Sequence, residues 1–298
     1  MSNLIFGAIA DDLTGGVELA SMLVSRGVRT HLAIDADAPL EPSAEAVVFA
    51  LKSRLTPADQ AVRDSLAALE RLLAANVRRV FFKYCATFDS TPSGNIGPVA
   101  EALLDRLGAD FTAFCPAFYE AGRTVYQGHL FASDRLISES PKRFDPMTPM
   151  TDPDLVRVLA AQSKRRTGLI PHAAVRAGAA GVGERVEALR GEGVGLALVD
   201  AVSESDLAVI AEGCADLRLM TGNSSVAAHF PPLWRQRGWL AADPPPNRLP
   251  AVEGPAAVLA GSVADRTEEQ LRHFEQYGPV LRIDMEAACR GRTSLRRP

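Results

Sequence analysis

Two adjacent aspartates, Asp11 and Asp12, close an apolar run in the segment GAIADDLTGG, ahead of Thr14 and Gly15. A carboxylate between a strand and the first turn of a helix is stabilised by free N–H groups and by the positive end of the helix dipole. It therefore stays ionised and is ready to accept a hydroxyl. Either aspartate can serve merely as the helix cap, but one cap suffices, which leaves the other for chemistry. Lys52, Ser53 and Arg54 close a second apolar run. Lys83 closes a third, followed by Asp89, Ser90, Thr91, Gly94 and Asn95 in KYCATFDSTPSGNIG. Lysine occurs only at 52, 83, 142 and 164, so half of the lysines sit at the ends of strand-like runs. A charge just past a buried strand needs a partner or a ligand. Arginine grips a carboxylate as a fork and lysine as a point charge. If the three runs are neighbouring parallel strands, the combination suits a small polyhydroxylated acid. The alternative is an internal salt-bridge network among the same groups.

Other motifs are weaker. TPSGNIG has glycines that let backbone N–H groups face an anion, although a turn with an N-cap explains it equally well. Neither GxxxxGK[ST] nor GxGxxG follows a strand. Arg123 falls in a loop after the run ending at Phe114. The five histidines show no metal spacing, and GxSxG and HExxH are missing.

These residues need a scaffold. Short apolar runs at 4–9, 46–51, 80–82, 111–114, 195–199 and 217–220 lack polar alternation, as strands buried on both faces do. Segments with helical spacing lie between them, for example Val17, Ala20, Leu23 and Val24. The pattern predicts an α/β fold, a doubly wound, mostly parallel sheet. The stretch 118–183 reads as loops and an insertion over the sheet, with a helix from Asp154 to Ser163. Prolines crowd the chain from Pro231 to Pro255 and mark a boundary. Domains are expected at 1–235 and 256–298, joined by a linker at 236–255. In the second, AAVLAG and PVLRID read as strands around a helix from Thr267 to Tyr277, with Thr267 as its N-cap.

Composition narrows the classes. The chain has 298 residues, 47% hydrophobic and 23% charged, with a net charge of −4. That is globular, and it offers no basic excess for nucleic acid. No apolar stretch approaches a membrane span, and no signal peptide opens the chain, so the expectation is a cytoplasmic protein. Cys85, Cys115, Cys214 and Cys289 lack CxxC spacing and read as buried free thiols.

The chain resembles the four-carbon acid sugar kinase family. The resemblance is carried by IADDLTGG at 9–16, KSR at 52–54, KYCATFDSTPSGNIGPV at 83–99, CPAFYEAGR at 115–123, VDA at 199–201 and AGSVADRTEEQ at 260–270. The KYC, TFDST and GNIG combination is similar to its 3-oxo-tetronate branch. The resemblance implies ATP- and Mg2+-dependent phosphorylation of the 4-hydroxyl of a 3-oxo-tetronate. An N-terminal domain would bind the acid through Thr14, Gly15, Lys52, Ser53, Arg54, Lys83, Asp89, Ser90, Thr91, Gly94, Asn95 and Arg123. A C-terminal domain would bind nucleotide, here near Gly261, Ser262 and Thr267. Asp12 is the expected catalytic carboxylate, with Asp11 as its rival. Two segments depart from the family pattern: GSVA stands where GSCS is usual, and GNSSVA where GGSGLA is usual. The family also continues past residue 298, which implies a truncated nucleotide domain. A non-catalytic sugar-acid-binding module, one half of a split kinase completed by a separate C-terminal half, and a homo-oligomer are the alternatives. An aspartyl phosphatase wants one residue between its aspartates, and ADDLT has none.

Overall fold

The computed structural model describes residues 4–34, 39–242, 251, 253–261, 265–284, 287 and 290. The chain divides into two compact units, 1–247 and 248–298.

The first unit runs β1 (Phe6–Ala10), α1 (Leu13–Ser25), β2 (Thr30–Ala33), β3 (Ala46–Ala50), α2 (Ala58–Ala74), β4 (Arg79–Lys83), α3 (Ile96–Leu107) and β5 (Thr112–Cys115). Then come β6 (Arg123–Tyr126), β7 (His129–Ala132), β8 (Arg135–Leu136), α4 (Leu155–Gln162), β9 (Arg166–Ile170), α5 (His172–Arg176) and α6 (Gly178–Gly191). It closes with β10 (Val194–Val199), α7 (Glu204–Gly213), β11 (Leu219–Gly222), α8 (Ser224–Ala227) and α9 (Phe230–Gln236).

Eight strands form one sheet in the order β2-β3-β1-β4-β11-β5-β10-β9, and every pairing is parallel. All residues of β1, β3, β5, β10 and β11 are buried, as their unbroken apolar runs require. Helices cover the faces through apolar stripes; α2 buries Ala61, Ser65, Ala68, Leu69 and Leu72. It lies so close to β1 that a Cβ on Gly7 would fall 2.6 Å from Leu72 Cδ2. The order reverses between β1 and β4, because the chain passes from β1 outward to β2 at the edge, returns to β3 and then crosses to β4. Ligands of open α/β sheets bind at the carboxyl ends of strands beside such a reversal.

Two features differ from expectation and a third agrees with it. β2 and β9 are edge strands with one fully buried residue each, so they carry no continuous apolar run. The stretch read as loops contains a three-stranded antiparallel sheet, β6-β7-β8, whose strands are at most four residues long. The expected helix near Asp154 is α4, and Asp154 caps it by accepting from Arg157 N.

The described residues of the second unit include helix α10 (Asp265–Phe274). Residues 256–260 and 279–284 were expected as strands and have no strand pairing. Val258 and Leu259 are 83% and 92% exposed, since no neighbouring strand buries them. Thr267 lies inside the first turn of α10 and does not cap it.

Candidate functional site

The carboxyl ends of β1 and β4 are in register, with Ala10 opposite Lys83, so Asp11 and Asp12 leave the sheet beside that lysine. Asp11 N donates to Lys83 O, and Asp11 O accepts from the backbone N–H groups of Ser53 and Arg54. The loop after β3 is thereby tied to the loop after β1. Arg54 forks onto Asp11, with Nε 2.9 Å from Oδ2 and Nη2 2.8 Å from Oδ1. The same Nη2 reaches Asp12 Oδ1 at 2.7 Å. Burial works against the Arg54 charge, but the hydrogen bonds and charge of Asp11 outweigh it and hold the guanidinium above its ordinary pKa. Asp11 is 3% exposed with both oxygens engaged. Asp12 caps α1, its Oδ1 accepting from Gly15 N at 2.9 Å. Among the described residues no hydrogen bond reaches Asp12 Oδ2.

Lys83 is 2% exposed, and its ammonium lies 3.6 Å from Glu18 Oε2. Glu18 also accepts from the Ser224 hydroxyl, which in turn sits beside Asn223 Oδ1. A methyl on Gly15 would collide with the Lys83 ammonium and the Asp12 carboxylate, so glycine makes room for their approach. Glu18 escaped the sequence reading because it lies within a helix, away from any strand end. Ser224 and Asn223 were visible only as the GNSSVA departure.

The loop after β4 contributes Asp89 and Ser90. Phe88 is fully buried at φ 58°, a left-handed conformation that bulky residues rarely adopt, and the Tyr84 ring packs edge-on against it at 5.3 Å. This turn aims Asp89 back toward Arg54, with Oδ2 4.0 Å from Nη1. Asp89 Oδ1 accepts from Thr87 at 2.6 Å and pairs with Lys142 at 2.7 Å. Burial alone would raise the Asp89 carboxyl, but the Lys142 and Thr87 hydrogen bonds bring it below the usual carboxylate range. Lys142 had drawn attention only through the scarcity of lysine; SPKRF resembles a solvated turn.

Asn95 occupies the N-cap position of α3 yet makes no capping bond. Its amide instead donates to the carbonyls of Ser53, Arg54 and Thr56. Gln162 donates to Ser90 Oγ and Thr91 O, and its Oε1 accepts from Gly97 N. Gly94 N closes the turn onto Thr91 O. The loops that carry Arg54, Asp89 and Ser90 are thus held by side-chain amides.

The remaining expected residues are not among the groups that these hydrogen bonds and ion pairs join. Lys52 and Thr14 are exposed, and Lys52 has no ion pair among the described residues. Arg123 begins β6, where its guanidinium donates to the carbonyls of Ala121 and Gly122, so the loop placement was incorrect. Gly261 is exposed with open space around it, Thr267 is half-buried in α10, and Ser262 lies outside the described residues, as does Cys289. No group of three His, Cys, Asp or Glu residues suited to a metal occurs among the described residues. Cys85, Cys115 and Cys214 are free thiols; Cys85 is only half-buried. No described helix is long and apolar enough to cross a membrane.

Comparison with known proteins bears on the family of the chain. Residues 6–230 match a family model described as a sugar-binding N-terminal domain. A 3-oxo-tetronate kinase of Cupriavidus necator is 50% identical over 292 residues, covering 96% of this chain and 68% of that protein. The crystal structure of Haemophilus influenzae protein HI1011 superposes with a TM-score of 0.79 at 40% identity, covering 95% of this chain and 68% of the other. A Bordetella bronchiseptica domain, solved with bound citrate as a domain-swapped dimer, is 28% identical with a TM-score of 0.65, covering 77% of this chain and 56% of that one. The chain spans about two-thirds of the length of the curated relatives it matches. On the sugar-binding match and on identity across nearly its whole length, the chain belongs to the 3-oxo-tetronate kinase family.

Proposed function

We propose that residues 1–235 hold the sugar-acid site of an ATP-dependent 3-oxo-tetronate 4-kinase, with Asp12 accepting the proton of the attacking 4-hydroxyl. Phosphoryl transfer to a sugar acid is the chemistry of the family. Such transfer needs mainly alignment and charge neutralisation, with a carboxylate to orient the nucleophilic hydroxyl. The observation that carries the assignment is the division of labour between the two aspartates. Asp11 has both oxygens engaged by Arg54, whereas Asp12 keeps Oδ2 without a hydrogen bond among the described residues, and its side chain is 27% exposed. Asp11 is accordingly a positioning residue, and Asp12 is the group within reach of substrate. Arg54, Asp89, Ser90 and Asn95 shape the rest of the site, and Lys83 sets the electrostatic floor beneath Asp12. The citrate in the Bordetella domain supports a hydroxy acid as the ligand class.

ATP is the phosphate donor that a kinase implies, and residues 256–298, beyond a linker at 236–255, are assigned to the nucleotide domain. Gly261, Ser262 and Thr267 are the residues proposed to meet the nucleotide, and no protein ligand is proposed for Mg2+. Dependence on ATP points to the cytoplasm, and the domain-swapped Bordetella dimer makes self-association the first assembly to look for.

Calorimetry with 3-oxo-tetronates and with ATP, titrated separately, tests the reading. The sugar acid is expected to bind. Acid binding without ATP binding favours a binding module or half of a split kinase, and absence of heat with every four-carbon acid sinks the sugar-acid site. In a full-length relative, the variant corresponding to Asp12→Asn is expected to lower turnover roughly 100- to 10,000-fold with the fold intact. Near-normal turnover removes Asp12 from the mechanism.

A further inference from the structure

We propose that Lys142 is a specificity cation for the substrate's carboxylate, brought to the site by the segment after β8 and held ready by Asp89. The inference rests on the sugar-acid reading above.

A count of the cationic donors left for a ligand motivates it. The cluster of Asp11, Asp12 and Asp89 contains one guanidinium, Arg54, so by itself it repels an acid. Lys83 is almost fully buried and paired with Glu18. Arg54 commits Nε and Nη2 to Asp11 and Asp12, and its Nη1 has only the 4.0 Å approach of Asp89. Lys142 adds a second cation, and although Asp145 beside it offsets the net charge, it brings a further N–H donor to Asp89. Its ammonium lies 2.7 Å from Asp89 Oδ1 and 3.0 Å from Asp145 Oδ2, its side chain is 30% exposed, and an ammonium has a third proton to give. Arg54 Nη1 and Lys142 Nζ therefore approach Asp89 from its two oxygens. Together they offer two N–H donors to an anion arriving beside it.

The loop that carries Lys142 is built to hold it. Ser140 Oγ donates to Ile137 O and accepts from Lys142 N. Asp145 Oδ1 accepts from the N–H groups of Met147 and Thr148, and Met150 N donates to Lys142 O. A lysine fixed in this way loses less rotamer freedom on binding than one waving in solvent.

The rival explanation is a latch, in which Lys142 only pins its loop to Asp89. Calorimetry on the whole chain separates the two, using a four-carbon sugar acid and its uncharged amide, which keeps every hydroxyl. Lys142→Met is expected to weaken the acid roughly ten- to a hundredfold and leave the amide unchanged. Lys142→Arg, which restores the charge, is expected to recover most of the acid's affinity, and thermal melts of both variants verify folding. Equal weakening of acid and amide, or no change in either, overturns the proposal and leaves the latch. If the unmodified chain binds no acid, the sugar-acid reading itself fails and this inference falls with it. Wild-type binding with an indifferent Lys142→Met removes Lys142 alone.

Discussion

Strand β4 begins and ends in cations, and its two ends treat charge in opposite ways. At the carboxyl end Lys83 is buried against Glu18, and Arg54 is locked onto Asp11 and Asp12 by three hydrogen bonds. At the amino end the guanidiniums of Arg78, Arg79 and Arg237 gather around the Trp239 ring, with centroid distances of 5.2, 5.9 and 5.3 Å. Of these, Arg79 and Arg237 share Asp216, which is 82% exposed. Burial, reinforced by neighbouring arginines, lowers the Arg79 pKa against the pull of Asp216. The amino end tolerates an imperfect balance because water screens Asp216, whereas at the carboxyl end Asp11 and Lys83, almost sealed from water, each need an opposite charge held close. Geometry fixed to this degree is what alignment of a substrate hydroxyl requires.

Three experiments probe that contrast. Arg54→Met leaves Asp11 buried without its fork, and chemical denaturation is expected to show a loss of roughly 3–5 kcal/mol. A loss under about 1 kcal/mol, the value for an exposed pair, erases the distinction between the two ends. The second concerns pH. The folded-state pKa of Asp89 lies below its unfolded value, so its contribution is present above about pH 4 and disappears as pH falls through the folded pKa. Lys142 has a raised pKa, since the Asp89 hydrogen bond outweighs burial. Its contribution is complete below about pH 10 and disappears as pH rises through that raised value. Amide exchange across residues 137–150 should therefore be slow, after correction for intrinsic rates, between these limits and accelerate outside them. Uniform protection across the range disproves the link. The smallest effect is expected at the amino end, where Arg237→Ala should change stability by less than about 1 kcal/mol. A larger loss would mean that the Trp239 cluster is as cooperative as the buried one.

The sequence showed the central strands clearly because β1, β3 and β4 are long enough in unbroken apolar residues to betray burial on both faces. It hid β2 and β9, where edge positions leave the side chains half-wet and the pattern mixed. In the site, Asp11, Asp12, Arg54, Lys83 and Asp89 were legible as polar residues at or just beyond strand ends. Glu18 and Lys142 were not, since each meets its partner only through tertiary approach, and nothing local distinguishes either from a solvated charge. Arg123 shows the opposite: read as a loop residue, it begins β6, and the carbonyls of Ala121 and Gly122 accept from it.

The Asn95 amide, shared among three carbonyls of the loop after β3, also bears on how this family can vary. Adding or deleting a residue between 53 and 56 would strip those carbonyls of a common donor and unseat Arg54. Changes of length in that loop are therefore expected to cost the site its arginine. Substrate range has to be tuned elsewhere, and the surface segment around residue 142 can change without disturbing a strand.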